Sequence, residues 1–222
     1  MTKVVTVKRK ALAANDEQAD ALRRRFADGG TLVVNLISSP GSGKTTLLER
    51  TVARLKDRHR LAVIEGDVAT ERDADRIRAL GVPAHQVLTG GACHLDARQI
   101  ATALEAARLE PADLLFVENV GNLICPTTYD LGEDFKVALL SVTEGDDKPF
   151  KYPAIFSRAE VTVITKSDLL PHVPFDLAAV QEQLAALAPS GCRIVTSATT
   201  GEGLDEWVAL LEERLRAKRS AA

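Results

Sequence analysis

Residues 32–46, with the sequence LVVNLISSPGSGKTT, decide the fold of this chain. The first part is a mainly apolar run that predicts a buried strand, and the second is a Gly-rich loop that ends in Gly-Lys-Thr. The apolar spacing after the loop predicts a helix. A strand, such a loop and a helix in that order form a cradle for nucleotide phosphates, although Ser38 stands where the usual pattern has its first glycine. The stretch therefore predicts a P-loop nucleotide-binding protein.

The loop itself supplies the phosphate-binding residues. Backbone N–H groups from Gly41 to Thr45 are expected to point at the phosphates, with the positive N-terminus of the next helix behind them. The Lys44 side chain is expected to reach the β- and γ-phosphates, and the Thr45 hydroxyl to hold Mg²⁺. The predicted phosphate-binding residues are Gly41, Ser42, Gly43, Lys44, Thr45 and Thr46.

Two carboxylates follow later apolar runs, where a P-loop enzyme needs them. Asp67 and Glu118 each end a predicted strand, so both are expected at the sheet edge that faces the phosphates. Either could hold Mg²⁺ together with Thr45, and Asp67 could also orient the attacking water. Gly121 is expected to bring its backbone N–H to the γ-phosphate. Lys44, Asp67 and Glu118 are the candidate catalytic residues, while an ordinary turn position is the alternative for each carboxylate.

A second motif indicates which base is bound. Residues 165–168 read Thr-Lys-Ser-Asp and resemble the Asn-Lys-x-Asp guanine motif, with threonine in place of asparagine. The Asp168 carboxylate can accept from the guanine N1–H and 2-amino group, which adenine lacks, while the Lys166 stem packs on the base. Ser197 and Ala198 resemble the loop whose backbone N–H meets guanine O6. Together these residues favour GTP and GDP over ATP.

The order of predicted elements indicates the fold class. Short apolar strands alternate with helical stretches, which favours an α/β fold with a doubly wound, mostly parallel sheet of the P-loop NTPase type and helices on both faces. Further strands are expected near 61–64, 87–88, 113–118, 137–142, 161–164 and 193–196. An amphipathic helix is predicted over 11–27. We therefore expect an N-terminal leader helix in residues 1–30 and a P-loop GTPase domain in residues 31–222.

Composition narrows the partners and the compartment. The chain has 222 residues, of which 45% are hydrophobic, and its net charge of −3 comes from interspersed charges. No basic face is evident, so nucleic acid is not expected as a partner. No apolar stretch approaches the roughly 20 residues of a membrane span, and no signal peptide is evident, so we expect a cytoplasmic protein without a membrane partner. The mixed charges of residues 144–149 predict an exposed loop.

The cysteines raise the question of a metal site. Cys93 and His94 open a predicted helix, and Cys125 comes four residues after Gly121. Thiolate and imidazole suit Ni²⁺, Zn²⁺ or Cu⁺ rather than Mg²⁺. The spacing lacks a paired Cys-x-x-Cys signature, so buried cysteines remain the alternative, as they do for Cys192. One chain offers three ligands, and a two-fold dimer could complete a shared site.

Several of these stretches together resemble one family, the hydrogenase nickel-incorporation GTPase HypB. Two of its motifs are specific, since a generic P-loop protein has no reason to carry Ala-Cys-His-Leu-Asp or Gly-Asn-Leu-Ile-Cys-Pro, and the Cys-Pro-His motif of the related urease GTPases is absent. The resemblance covers roughly residues 30–215. The matching stretches are the phosphate loop, Glu65–Asp67, Thr89–Ala97, Glu118–Pro126 and Asp130–Glu133.

The resemblance implies a function as well as a fold. It implies a SIMIBI-class GTPase that hydrolyses GTP and assists nickel insertion into hydrogenase. Because the sequence shows no obvious catalytic glutamine or arginine finger, we expect the turnover to be slow. The resemblance also implies a nucleotide-dependent homodimer in which Cys93, His94 and Cys125 bind Ni²⁺ or Zn²⁺ at the interface. The implied partners are a nickel-delivery accessory protein and the hydrogenase large subunit.

Residues 1–30 depart from the pattern of many family members, and two alternative functions also fit the sequence. Many family members carry an N-terminal Cys-x-x-Cys-Gly-Cys nickel site or a histidine-rich segment, whereas residues 1–30 contain neither cysteine nor histidine. We therefore expect only the weaker site of the GTPase domain. The rivals are an ATP-dependent kinase and a nickel carrier without productive hydrolysis.

Overall fold

The structure, a computed structural model, describes residues 3–67, 72–109 and 111–221. Within these residues seven strands form one sheet in the order β3-β2-β4-β1-β5-β6-β7, and every neighbouring pair is parallel. The strands are Leu32–Ser38 (β1), Leu61–Asp67 (β2), Ala84–Leu88 (β3), Leu114–Glu118 (β4), Phe135–Ser141 (β5), Val161–Thr165 (β6) and Cys192–Val195 (β7). The predicted α/β fold is confirmed, with a sheet that is wholly rather than mostly parallel.

Helices connect these strands and cover both faces of the sheet. Two short 3₁₀ turns, Val142–Glu144 and Ser167–His172, follow β5 and β6. The α-helices of the described residues are Lys3–Asp28 (α1), Lys44–Leu55 (α2), Arg72–Arg78 (α3), Ala97–Ala107 (α4), Cys125–Thr128 (α5), Lys148–Lys151 (α6), Pro153–Arg158 (α7), Leu177–Leu187 (α8) and Leu204–Ala221 (α9). None of the described helices is both long and apolar enough to cross a membrane.

The side chains of β1 alternate between the two faces of the sheet, and helices cover both faces. Val34 and Leu36 are buried with α2, α3 and α9 on one face, whereas Val33 is buried with α1 and α4 on the other, and Ile37 with α7 and α8. Successive side chains of a strand point to opposite faces, so a parallel strand covered on both faces needs apolar residues at nearly every position. Because all neighbouring strands are parallel, their carboxyl ends lie at one edge of the sheet.

The first helix is part of the folded body. Ala19, Leu22 and Phe26 of α1 are buried against α4 and the adjoining face of the sheet. The helix begins at Lys3, earlier than the predicted start at residue 11, and its end at Asp28 matches the prediction. The division into a leader helix and a separate domain stays a prediction.

The segment after β5 differs from its prediction. Glu144 was expected in an exposed loop, but Ser42 Oγ donates a 2.5 Å hydrogen bond to its Oε1, and the Lys148 ammonium donates to Ser39 Oγ at 3.1 Å. Because sequence patterns do not reveal that β5 lies beside β1, they could not show that this segment lies under the phosphate loop.

Candidate nucleotide and metal site

A cavity of about 500 Å³ opens at the carboxyl ends of β1, β2 and β4. In open α/β sheets, ligands bind at the carboxyl ends of the strands, where neighbouring connections leave in opposite directions. Both acidic and basic side chains line the cavity. It is lined by Pro40, Gly41, Gly43, Lys44, Thr45, Thr46, Gly66, Asp67, Asp73, Arg76, Glu118, Asn119, Val120, Gly121 and Lys166.

The phosphate loop is held from below by its own side chains. Lys44 is buried, and its Nζ donates a 2.9 Å hydrogen bond to the Ser38 hydroxyl. The serine that replaces the usual first glycine is therefore a partner of the loop lysine. Ser42 is the one predicted phosphate residue absent from the cavity lining, because its hydroxyl bonds to Ser39 O and Glu144.

Thr45 and Glu118 meet at the floor of the cavity. The Thr45 hydroxyl donates to Glu118 Oε1 at 2.9 Å, and no N–H or alcohol group of the described residues donates to Glu118 Oε2. A buried carboxylate oxygen without such a donor, beside a threonine hydroxyl, suits a divalent cation. The residues present therefore fit Mg²⁺, and Asp67 lines the same cavity.

Glu65 forms a buried carboxyl pair with Glu118. The two residues are register partners in β2 and β4, so their side chains lie side by side on one face of the sheet. Burial raises the pKa of Glu65 well above its usual value, and the charge of Glu118 adds to this effect. Burial also raises the pKa of Glu118, while Lys44 and the Thr45 hydrogen bond oppose the rise. Both shifts favour a proton held between the two carboxyl groups, and the stronger rise in the pKa of Glu65 favours Glu65 as the group that carries it.

Gly121 lies directly against the phosphate loop. A Cβ added at this position would approach Pro40 Cγ at 3.0 Å and the Pro40 backbone at 3.2 Å. Any larger residue would push the loop after β4 away from the phosphate loop. The structure thus brings Gly121 to the cavity, as the sequence predicted. Residues 68–71, which follow Asp67, lie outside the described residues.

A second cavity of about 320 Å³ adjoins the first on the side of β6. Lys166, Asp168 and Ala198 line it together with Thr46. Ser197 is buried beside it and donates a 2.6 Å hydrogen bond from Oγ to Asp168 Oδ1, which fixes the carboxylate. The predicted base-reading residues therefore lie together next to the phosphate loop.

The threonine of the base motif has a structural partner. Thr165 Oγ1 donates to Ser42 O at 2.7 Å, and Lys166 Nζ donates to Gly41 O at 2.8 Å. Both bonds tie the base motif to the backbone of the phosphate loop. The missing asparagine is thus replaced by a residue that can still anchor the loop.

The three predicted metal ligands form one cluster. The ligand atoms of Cys93, His94 and Cys125 all lie within 4.8 Å of one another. The Cys93 thiol donates to Cys125 Sγ at 2.7 Å, and His94 Nδ1 lies 3.6 Å from Cys93 Sγ. Cys93 is exposed and the other two are partly exposed, so the cluster is open to solvent. Cys192 lies apart from it, at the start of β7 and against the core.

Burial and neighbouring groups shift the pKa values of two members of this cluster. The hydrogen bond with Cys125 and burial raise the pKa of the Cys93 thiol, whereas burial lowers the pKa of His94 and keeps its imidazole neutral. Tyr129 stacks on the His94 ring with a 3.7 Å distance between ring centroids. A neutral imidazole is the form that binds a metal, and the thiols must lose protons to do so.

Sequence reasoning missed Glu65, Asn119, Arg76 and Tyr129. Glu65 carried a signal, since a glutamate inside an otherwise apolar strand is unusual for a buried position. Arg76 lines the phosphate cavity because Glu49 holds its guanidinium at 2.7 and 2.9 Å, a contact between α2 and α3 that no local pattern shows. Asn119 lies within the Glu118–Pro126 stretch, but its partners Leu95 and Asn35 are distant in sequence, so the stretch does not show its role. The contact of Tyr129 with His94 is likewise distant in sequence.

Comparison with known proteins agrees with this geometry. Residues 32–194 match the family model described as CobW/HypB/UreG, nucleotide-binding domain. Hydrogenase maturation factor HypB of Azotobacter chroococcum is 50% identical over 99% of this chain and 73% of that protein. The chain belongs to the HypB family. HypB of Escherichia coli is 51% identical over 95% of this chain and 72% of its own length.

The fold of a solved HypB structure is also the same. The crystal structure of HypB from Helicobacter pylori in complex with nickel is 42% identical and superposes with a TM-score of 0.87. The match covers 92% of this chain and 96% of the other. The family assignment predicted from the motifs is therefore confirmed.

Proposed function

We propose that this HypB-family protein is a GTP-hydrolysing metallochaperone that binds Ni²⁺, or Zn²⁺, and assists nickel insertion into hydrogenase during maturation. The observation that carries the proposal is the segment from Glu118 to Cys125. Its start lines the phosphate cavity, and its end supplies a member of the cysteine–histidine cluster. One short segment therefore belongs to both sites.

The nucleotide half of the proposal uses the residues of the two cavities. Asp168, held by Ser197, accepts hydrogen bonds from guanine, and the backbone N–H groups of the phosphate loop bind the phosphates. Thr45, Glu118 and Asp67 provide oxygen atoms for Mg²⁺, which would neutralise phosphate charge when bound.

Hydrolysis converts GTP and water to GDP and inorganic phosphate. Lys44 stabilises negative charge on the transferred group, and Asp67 orients the water. No glutamine lines the described part of the phosphate cavity, and Arg76 is tied to Glu49 and Asp73. The intrinsic rate is therefore slow.

The metal half follows from the donor set. Two thiolates and one neutral imidazole favour Ni²⁺ or Zn²⁺ over Mg²⁺, and three protein ligands leave the coordination incomplete. Because the cluster is open to solvent, a second copy of the chain can bring its own ligands to it. We therefore assign a nucleotide-dependent homodimer with the metal at its interface, acting in the cytoplasm with a nickel-delivery protein and the hydrogenase large subunit. The role in hydrogenase maturation is supported by the HypB relatives, which are named as hydrogenase maturation factors.

One titration tests both halves. Ni²⁺ and Zn²⁺ are titrated into the wild-type protein and into Cys93→Ala and Cys125→Ala, with and without a non-hydrolysable GTP analogue, while the oligomeric state is followed. Cys192→Ala is the matched control because that thiol lies outside the cluster. Each of the first two variants should lose about tenfold or more in metal affinity, and Cys192→Ala should behave as wild type.

Two outcomes separate this function from its rivals. Tighter binding of ATP than of GTP would favour the ATP-dependent kinase. Metal binding without any release of phosphate from GTP, even with partner proteins present, would favour a passive nickel carrier. Wild-type metal affinity in both cysteine variants would contradict the metal site itself.

A further inference from the structure

We propose that Asn119 is the positioning residue that connects the phosphate cavity to the metal cluster. The proposal rests on the function proposed above, because it assigns the coupling between nucleotide and metal to one side chain. Asn119 is 1% exposed and lines the phosphate cavity directly after Glu118. Its carboxamide bonds to the segment that carries His94, to the loop after β4 and to β1, whereas Asn122 Nδ2 of the same loop donates only to Cys93 O, at 3.2 Å.

The first contact reaches the metal segment. Asn119 Oδ1 accepts a 3.1 Å hydrogen bond from the backbone N–H of Leu95, the residue after His94. The same oxygen accepts from Val120 N at 3.0 Å, at the start of the loop that carries Gly121. A displacement of this loop by phosphate would therefore be felt at Leu95. Because Leu95 N–H and Val120 N–H are both donors, the atom that they contact must be the side-chain oxygen, which fixes the orientation of the Asn119 carboxamide.

The second contact reaches the strand beneath the phosphate loop. Asn119 Nδ2 donates to Asn35 Oδ1 at 3.2 Å, and Asn35 lies on β1, which leads into the loop. Asn35 Nδ2 in turn donates to Glu133 Oε1 at 3.2 Å. These side chains are buried, so water cannot replace the bonds without opening the core.

Leu95 has little freedom to move independently of this network. A Cβ at Gly66 of β2 would lie 2.8 Å from Leu95 Cδ1, so the leucine side chain packs directly on the backbone that precedes Asp67. Leu95 is fully buried. A shift of Asn119 therefore moves the backbone that carries His94, instead of being absorbed by a flexible loop.

Asn15 provides a matched control. Its Oδ1 accepts from the backbone N–H of Ala97 at 3.0 Å, and its Nδ2 donates to Asp130 O at 2.9 Å. The side chain is therefore an asparagine that holds the same segment two residues further on, and it is almost as buried as Asn119. It belongs to α1 and does not line the phosphate cavity.

The experiment measures Ni²⁺ affinity of the full chain in its GDP state and in its GTP-analogue state, for wild type, Asn119→Ala and Asn15→Ala. We expect the wild-type affinities to differ by about fivefold or more between the two states. In Asn119→Ala the ratio should fall to within about twofold of one, whereas Asn15→Ala should keep the wild-type ratio even if both affinities weaken.

The outcomes distinguish failure of the proposal from failure of the function. A wild-type ratio retained by Asn119→Ala overturns the role of Asn119 alone. Equal wild-type affinities in the two states overturn nucleotide–metal coupling and this inference with it. If Asn119→Ala does not fold, hydrogen exchange of the wild-type Leu95 amide decides: protection that differs between the two nucleotide states supports the proposal, and equal protection overturns it.

Discussion

Glu118 and Glu65 are neighbouring buried glutamates, but they differ in their hydrogen bonds and in their pKa shifts. Glu118 accepts from Thr45, whereas Glu65 receives no hydrogen bond from that threonine. The shared burial raises the pKa of both and favours one proton between them, and the stronger rise for Glu65 favours that residue as its carrier. The pKa of Glu118 rises less because the Thr45 hydroxyl donates to it and because the charge of Lys44 favours its ionised form.

A paired substitution tests this difference. Glu118→Gln should remove most of the gain in nucleotide affinity that Mg²⁺ provides, about tenfold or more, because a carboxylate ligand is lost. Glu65→Gln should keep that gain, since Thr45 bonds to Glu118 and the raised pKa of Glu65 disfavours the ionised form that would bind Mg²⁺. Nucleotide affinity measured with Mg²⁺ and with a chelator gives both values. An equal loss in the two variants would show that the carboxyl groups are not distinct.

Base selectivity depends on Asp168. Asp168→Ala should lower GDP affinity by about 100-fold, since two hydrogen bonds to a charged group are lost, and should leave the weak ADP affinity unchanged. Ser197→Ala removes only the bond that orients the carboxylate and should cost about tenfold. Competition with a fluorescent nucleotide measures each affinity. Parallel losses of GDP and ADP affinity in Asp168→Ala would place the base elsewhere.

At the residue scale, the sequence predicted best where a motif is local. The phosphate loop and Lys166 to Asp168 are contiguous, so their order along the chain already contains their geometry. Glu65 escaped because its role depends on its register partner Glu118 in a neighbouring strand. Asn119 escaped because its partners, Leu95 and Asn35, are far apart in sequence.

At the element scale, the Asp113 carboxylate, which directly precedes β4, forms hydrogen bonds and ion pairs that stabilise the start of this strand. Asp113 accepts from the backbone N–H of Arg60 at 2.8 Å and from its guanidinium at 2.7 Å, and Arg219 of α9 also reaches it at 2.7 Å. Burial alone would raise the pKa of Asp113, but the hydrogen bonds and charges of Arg60 and Arg219 outweigh it and lower the pKa to about 2.

This depressed pKa predicts a pH-dependent contribution to stability. Because the folded pKa lies below the unfolded one, the contribution is present above about pH 4 and is lost as the pH falls towards 2. Asp113→Asn should cost about 1 to 2 kcal/mol at pH 7, a range reduced for the exposure of Arg60. Urea unfolding at a series of pH values measures it, with the exposed Asp57→Asn as control. A difference from wild type that stays constant down to pH 2 would contradict the assignment.

The first helix is predicted to unfold together with the sheet. Phe26 is fully buried between α1 and the sheet face, so Phe26→Ala should lower the free energy of unfolding by about 3 to 5 kcal/mol in a single transition. Phe150→Ala, at a side chain that is 69% exposed, should change it little. Thermal and urea unfolding measure both. A separate early transition for α1 would instead support an independent leader helix.

The elements themselves were largely predictable because most strands are buried on both faces and leave continuous apolar runs. β3 was the weakest signal, since it is an edge strand with a half-exposed pattern, and only its end was predicted. The short helices α5 and α6 have four residues each, too few for a helical period to emerge.

At the scale of the whole molecule, the sheet order creates the relation between the two sites. Cys93 lies on the connection after β3 and Cys125 on the connection after β4, and the order β3-β2-β4 brings these connections together over the end of β2. Asp67 ends that middle strand and lines the phosphate cavity. The sequence contained all the ligands, but only the strand order shows that metal and phosphate share one edge.

Nucleotide and metal binding to this protein are thermodynamically linked in the proposed function, and the reciprocity of that linkage is the most direct test. The affinity of the wild-type protein for a GTP analogue and for GDP is measured by equilibrium titration with and without saturating Ni²⁺. Linkage requires Ni²⁺ to change the ratio of the two nucleotide affinities by the same factor by which the nucleotides change Ni²⁺ affinity, about fivefold or more. A ratio that is identical with and without Ni²⁺ would contradict the account.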